Sequence, residues 1–318
     1  MTTHAETGHL PSDIPPATDA FPTSRAAGPR RLLLTLLGDY WWRRSEALPS
    51  GALVSLLGEF GVSDAAARAA LGRLVRHGVL VRVKRGRQTF YGLSERASRI
   101  LDDGAQRLFA FGQEEPEWDG EWSLIAFSIP EQHRALRYAL RDRLRWLGFA
   151  PLYDGLWVSP RDRLGRAVEQ LAELSITSAT AFRARTIEGT PTGGLPQRAW
   201  DLGVLRRHYD RFVSELEALH EELEGNGMPP DQALVERTRA MENWRAFRQL
   251  DPTLPAVLLP EDWPQPHARR LFADTYDALG PAAERRVRQI VARYDREVAP
   301  LAAHHRFDAM RDGGRAWS

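Results

Sequence analysis

The chain has 318 residues, 43 of them Lys or Arg and 42 Asp or Glu, and 43% of it is hydrophobic. That is too long for one small domain, apolar enough for real cores, and too evenly charged for a basic tail or an acidic disordered segment. The absence of cysteine excludes disulfide scaffolds, thiolate catalysis and cysteine-based zinc sites. With no membrane-length apolar run and no signal-peptide pattern, the expectation is a soluble cytoplasmic protein without a membrane role.

The net charge of +1 hides an uneven distribution. Residues 30–99 carry +8, residues 1–29 and 100–118 carry −2 and −4, and the remainder is close to neutral. Positive charge confined to one short region marks an anionic partner for that region alone.

Residues 1–29 are rich in Thr, Ala and Pro without apolar period and read as a disordered tail. From Arg30, Leu32, Leu33, Leu36, Leu37 and Tyr40 form a helical stripe that Pro29 can start. A second helix opens at Pro49-Ser50, carries Leu53, Val54, Leu57 and Phe60, and closes at Gly61. A third follows within a few residues. Ser63 is its N-cap, Asp64 suits its first turn, and Ala67, Ala70, Leu71, Leu74 and Val75 repeat until Gly78.

Two short helices around a Gly-containing turn form a helix-turn-helix. The alternating Val79–Val83 and Gln88–Leu93, joined by Lys84-Arg85-Gly86-Arg87, add a β-hairpin. Together they predict a winged helix over residues 30–98.

Ser94 caps a connecting helix that runs into the acidic stretch Glu114-Glu115-Pro116-Glu117, so residues 99–118 read as a connecting helix and linker. Residues 119–190 then alternate: strand Trp122–Ile129, helix Glu131–Leu147, strands Phe149–Tyr153 and Leu156–Ser159 around Asp154-Gly155, helix Asp162–Leu174, strand Ile176–Arg183. This βαββαβ order predicts a ferredoxin-like central domain. A Gly- and Pro-rich linker over 184–198 leads to an all-helical C-terminal domain, residues 199–304. Its expected helices are Asp201–Leu223, Asp231–Leu250, Pro266–Leu279 and Pro281–Ala303, with the Pro-rich 251–264 irregular. The fold class is α+β and multidomain.

The strongest functional signal is the third helix with its hairpin. If the apolar stripe faces the core, the opposite face presents Ala65, Arg68, Ala69, Gly72, Arg73 and Arg76 after the Ser63 cap. Small residues beside arginines let a helix approach base edges, and arginine bonds guanine bidentately. Arg82, Lys84, Arg85 and Arg87 on the wing suit phosphates or the minor groove. The alternative is a solvated basic face of a protein-binding module.

Two further features leave their readings open. Arg134, Arg137, Arg141 and Arg145 line one helix face, either to hold an anion such as DNA phosphate or a phosphorylated effector, or as a solvated face. Trp244, Arg245, Phe247, Asp251 and Trp263 make either an aryl or acyl pocket or ordinary core. His267 and His304-His305 lack metal-ligand spacing, and no phosphate-loop, G-x-S-x-G or dinucleotide motif is present. No metal, cofactor or catalytic residue is expected.

The blocks Leu32–Tyr40, Val62–Leu80, Trp118–Ile129, Gly148–Pro160 and Trp244–Pro264, in this order, resemble the PaaX-type transcriptional repressors of phenylacetate catabolism from about Arg30 to about Arg296. The resemblance implies a homodimer on double-stranded operator DNA that leaves it when an aryl-acyl-CoA, typically phenylacetyl-CoA, binds; Arg137, Arg141, Trp244, Arg245 and Trp263 are the candidates to touch that effector. It also implies a central domain similar to the CRISPR-adaptation nuclease subunit. A metal-dependent nuclease is therefore one alternative, although Phe127-Ser128-Ile129-Pro130 has serine where the nuclease has its metal-binding aspartate, and serine without a carboxylate is a poor magnesium ligand. An activator of the same architecture that senses another acyl-CoA is the other.

Overall fold

The structure, a computed structural model, describes residues 28–113, 118–187 and 194–307. The expected disordered tail, apart from its last two residues, and the acidic Glu114–Glu117 lie outside the described residues, as do 188–193 of the linker.

Helix α1 (Pro29–Trp41) has proline in its first turn and buries Leu32, Leu33, Leu36, Leu37 and Tyr40. It is followed by α2 (Ser50–Gly58) and α3 (Asp64–Arg76). Gly61 and Gly78, at φ of +74° and +67°, end the turns of α2 and α3, a conformation that costs glycine nothing. Strands β2 (Leu80–Arg85) and β3 (Gln88–Leu93) pair antiparallel in register from Leu80↔Leu93 to Arg85↔Gln88. A two-residue strand, β1 (Leu48–Pro49), pairs with the outer edge of β3 and makes the sheet order β1-β3-β2. It is too short for any alternation to announce it.

Ser94 Oγ accepts from the Ala97 N–H at 3.1 Å and starts α4 (Glu95–Ala110). Beyond it lies a four-stranded antiparallel sheet of β4 (Trp122–Phe127), β5 (Ala150–Tyr153), β6 (Leu156–Ser159) and β7 (Ala179–Ala184), in the order β5-β6-β4-β7. Helices α5 (Arg134–Trp146) and α6 (Leu164–Glu173) join the strands. Leu140, Leu144, Ala167 and Leu171 pack on Ile125, Phe127 and Trp157 in a core made only of residues from this region. Residues Glu131–His133, expected as the start of α5, form a separate 3₁₀ turn after Pro130.

A short helix α7 (Leu195–Ala199) covers the end of the expected linker, and α8 (Leu202–Asn226), α9 (Pro230–Leu250) and α10 (Gln265–Ala292) follow, with a 3₁₀ turn at Ala299–Leu301 where the last helix was expected to continue. Two helices were expected on either side of Gly280-Pro281; the structure has one. Proline removes one ladder bond, but Tyr276 and Leu279 before it and Ala283 and Val287 after it are all buried, and packing on both sides keeps the helix continuous.

Two cores share these helices. In one, Trp244 lies among Phe111, Phe212, Phe247, Phe272 and Phe307, with its ring 5.0 Å from that of Phe272 in a stacked arrangement. The other joins α1, α2 and α3 to Leu279, Val287, Ile290 and Val291 of α10. A polar seam runs beside it: Arg31, Thr35 and Asp39, spaced four apart on α1, meet Glu242, Arg245 and Arg237 of α9. Arg237 is fully buried, donates to the carbonyls of Tyr276 and His305 at 3.1 and 2.7 Å, and lies 3.7 Å from the Tyr276 ring centre.

Candidate nucleic-acid interface

Ser63 caps α3, its Oγ accepting from the Ala66 N–H at 3.4 Å, and Ala67, Ala70, Leu71 and Leu74 are buried beneath it. Ala65, Arg68, Ala69 and Arg76 are exposed, while Gly72 and Arg73 are half-buried. The Arg76 guanidinium lies near bare Gly72, 3.9 Å from where a Cβ would stand.

On the hairpin, Arg82, Lys84, Arg85 and Arg87 are all exposed, and Gly86, at φ +61°, makes the two-residue turn possible. The register places Arg82 and Lys84 on one face of β2 and Arg85 on the other, where its guanidinium sits 4.7 Å from the centre of the Phe90 ring. Lys84 is the one lysine in the sequence.

Ion pairing on this surface is sparse. Arg68 pairs with Asp64 at 3.3 Å, a contact legible in their four-residue spacing. Arg73, Arg76, Arg82, Lys84, Arg85 and Arg87 have no ion pair among the described residues. On α5, by contrast, Arg137 bonds Glu131 at 2.8 Å and the Ile129 carbonyl at 2.6 Å, Arg141 binds Asp154, and Arg145 bonds Asp142 at 2.9 Å, while Arg134 is exposed and without an ion pair among the described residues. Cations already matched by carboxylates attract a further anion weakly, whereas six unmatched ones within 15 residues build a positive field.

The remaining candidates are dispersed. Trp244 is fully buried in the aromatic core, and Trp263 stands edge-on to Tyr209 with ring centres 6.2 Å apart. Arg245 donates to Thr35 Oγ1 at 2.6 Å in the seam, away from the α5 arginines of the central sheet region. Between α8 and α9 lies an open groove of about 480 Å³ lined by Glu215, Glu222, Glu236, Arg239 and Asn243; Arg239 is tied to Glu236 at 2.5 Å, so the groove is acidic and repels phosphates. Among the described residues no three His, Asp or Glu side chains are grouped to hold a metal, and no helix is long and apolar enough to cross a membrane.

Residues 29–97 match the family model described as PaaX-like protein, residues 115–195 match the PaaX protein central Cas2-like domain, and residues 200–289 match the PaaX-like protein C-terminal domain. The Transcriptional repressor PaaX of Escherichia coli (strain K12) is 27% identical over 280 residues, 86% of each chain. Among solved structures, the uncharacterized protein Rv0674 from Mycobacterium tuberculosis has a TM-score of 0.48 at 22% identity, covering 83% of this chain and 98% of that one. With three models of one family matched in succession, the chain belongs to the PaaX family.

Proposed function

We propose that the protein is a DNA-binding transcriptional repressor whose residues 30–98 form a winged helix, followed by a ferredoxin-like central domain and a helical C-terminal domain. Family membership and the name of the Escherichia coli relative support the class. One observation carries the DNA assignment: six cations on α3 and its hairpin that have no carboxylate partner among the described residues. Arg73 and Arg76, beside Ala69 and Gly72, read base edges in the major groove; Arg82, Lys84, Arg85 and Arg87 hold the backbone. Two copies related by a two-fold axis occupy a palindromic operator, and the work is done in the cytoplasm.

The regulated genes, on this reading, serve aromatic-acid breakdown of the phenylacetate type, and an aryl-acyl-CoA releases the protein from DNA by preferring its unbound form. The acidic α8/α9 groove is a poor seat for the phosphates of CoA. No observation favours a nuclease. Reversing Arg73 and Arg76 to glutamate should abolish retardation of the fragment upstream of the protein's own gene while the circular dichroism melt stays unchanged; retained retardation refutes the DNA assignment. Calorimetric titration with phenylacetyl-CoA, CoA and phenylacetate tests the effector separately.

A further inference from the structure

The unmatched cations do not stop at the hairpin. Strand β1 runs antiparallel to β3 and places Pro49 opposite Phe90, two residues from the Arg85↔Gln88 pair that closes the turn. Helix α2 therefore starts at the turn end of the sheet. On its first turn Gly51 leaves no room for a side chain, because a Cβ there would come within 2.4 Å of the Tyr294 ring. The Tyr294 hydroxyl shares a hydrogen bond with Ser55 Oγ at 2.7 Å, and further along Arg286 forks onto Glu59 with bonds of 2.8 and 2.9 Å.

These contacts run in opposite chain directions, 286 with 59 and 294 with 51, so α10 lies antiparallel along α2 and delivers its end to the start of α2. Arg293 and Arg296 flank Tyr294 there, both exposed and, among the described residues, without an ion pair. The intervening Asp295 turns its Oδ1 to the backbone, accepting from the N–H groups of Glu297 and Val298 at 3.0 and 3.1 Å, and neither it nor the exposed Glu297 forms an ion pair with these arginines.

We propose that the DNA-binding surface is built by two domains: Arg293 and Arg296, at the end of the C-terminal domain's last long helix, hold the phosphodiester backbone beside the segment that α3 reads. The inference rests on the reading of α3 and the hairpin as a DNA interface. It assigns these arginines to backbone positioning, which carries affinity and salt dependence without base preference.

The test uses the full-length protein and a fluorescently labelled duplex of mixed sequence, with binding followed by anisotropy over a series of salt concentrations. In R293A/R296A the slope of log affinity against log salt should become shallower by about two, one for each lost phosphate contact. R293K/R296K should keep the parent slope. An alanine variant with the parent affinity and slope overturns the proposal, and so does a lysine variant as weak as the alanine one. Should the alanine variant fail to fold, R296E, which lies outside α10, must still flatten the slope. Parent protein that ignores the duplex ends the DNA reading itself; parent protein that binds, is weakened by R73A/R76A and is indifferent to R293A/R296A overturns this inference alone.

Discussion

Thr35 of α1 gives its hydroxyl proton to the Glu242 carboxylate of α9, and the same hydroxyl oxygen accepts from Arg245 at 2.6 Å. Arg31, one turn earlier, adds its guanidinium to that carboxylate, whose side chain is 4% exposed. One buried acid thus gathers two residues of α1 and one of α9 across the seam.

Glu242→Ala leaves Thr35 and two arginines facing a hole. The expected loss is about 1–3 kcal/mol of unfolding free energy, moderated because Arg31 and Arg245 reach solvent. Urea titration measures it. The loss should shrink when Thr35→Val is already present, since the two changes remove one shared interaction.

Arg237 is a harsher case, being fully buried with Asp39 at 4.0 Å. Arg237→Met should cost about 3–5 kcal/mol because it strands a buried carboxylate and two carbonyls. Asp39→Asn in the same chain should recover part of the loss in the same urea titration.

This cluster also sets a pH dependence. Burial pushes the Asp39 carboxyl up to about 6 against the pull of Arg237, and burial followed by Arg237 pushes His305 down to about 3. As pH falls from 6 to 4 the folded protein protonates Asp39 before the unfolded chain does, which stabilises it. From 6.5 down to 3 the unfolded chain protonates His305 first, which destabilises the fold. The two slopes oppose between pH 6 and 4. His305→Gln removes the second, so the variant should gain on the parent steadily as unfolding is measured from pH 7 to pH 4; a constant difference refutes the assignment.

In the central domain, Gly155 sits at φ +82°, and a Cβ there would stand 2.5 Å from the Phe127 carbonyl oxygen, a backbone atom that cannot swing aside. Gly155→Ala should cost at least about 2 kcal/mol and raise hydrogen exchange selectively in β4, β5 and β6.

Lys84 gives the DNA reading a chemical handle. As the one lysine of the chain, exposed on β2, it is the sole side-chain amine open to acylation. Saturating duplex DNA should slow its modification severalfold while leaving the N-terminal amine unaffected, as read by peptide mass spectrometry.

The sequence was most legible where one residue type has one physical role. Ser63 and Ser94 cap the helices they were expected to cap, Gly61, Gly78 and Gly155 take positive φ, and the 3.6-residue stripe of α3 divides buried Leu71 and Leu74 from exposed Arg68 and Arg76. It misled where local rules compete with packing: Pro281 marks a helix end by its chemistry, yet buried neighbours on both sides carry α10 through it. The α1/α9 seam escaped notice because Arg31, Thr35 and Asp39 read as the polar face of an amphipathic helix; only the fold puts Glu242, Arg245 and Arg237, more than 190 residues away, against them. The surroundings of the α5 effector candidates were legible only in part: Arg145–Asp142 is an i,i+3 pair that spacing shows, whereas only the fold sets Glu131 against Arg137 and Asp154 against Arg141.

The unbroken α10 has a mechanical meaning. Its first half, with Ala268, Phe272 and Tyr276, belongs to the aromatic core, and its second half, with Leu279, Val287 and Ile290, belongs to the core beneath α1, α2 and α3. A rod shared by two cores makes them melt together and turns any rotation imposed at one end into a displacement at the other. The sheet region between them in sequence has a core of its own and is tied to the α9–α10 connection by Arg161, which donates to the Thr253 carbonyl at 2.7 Å.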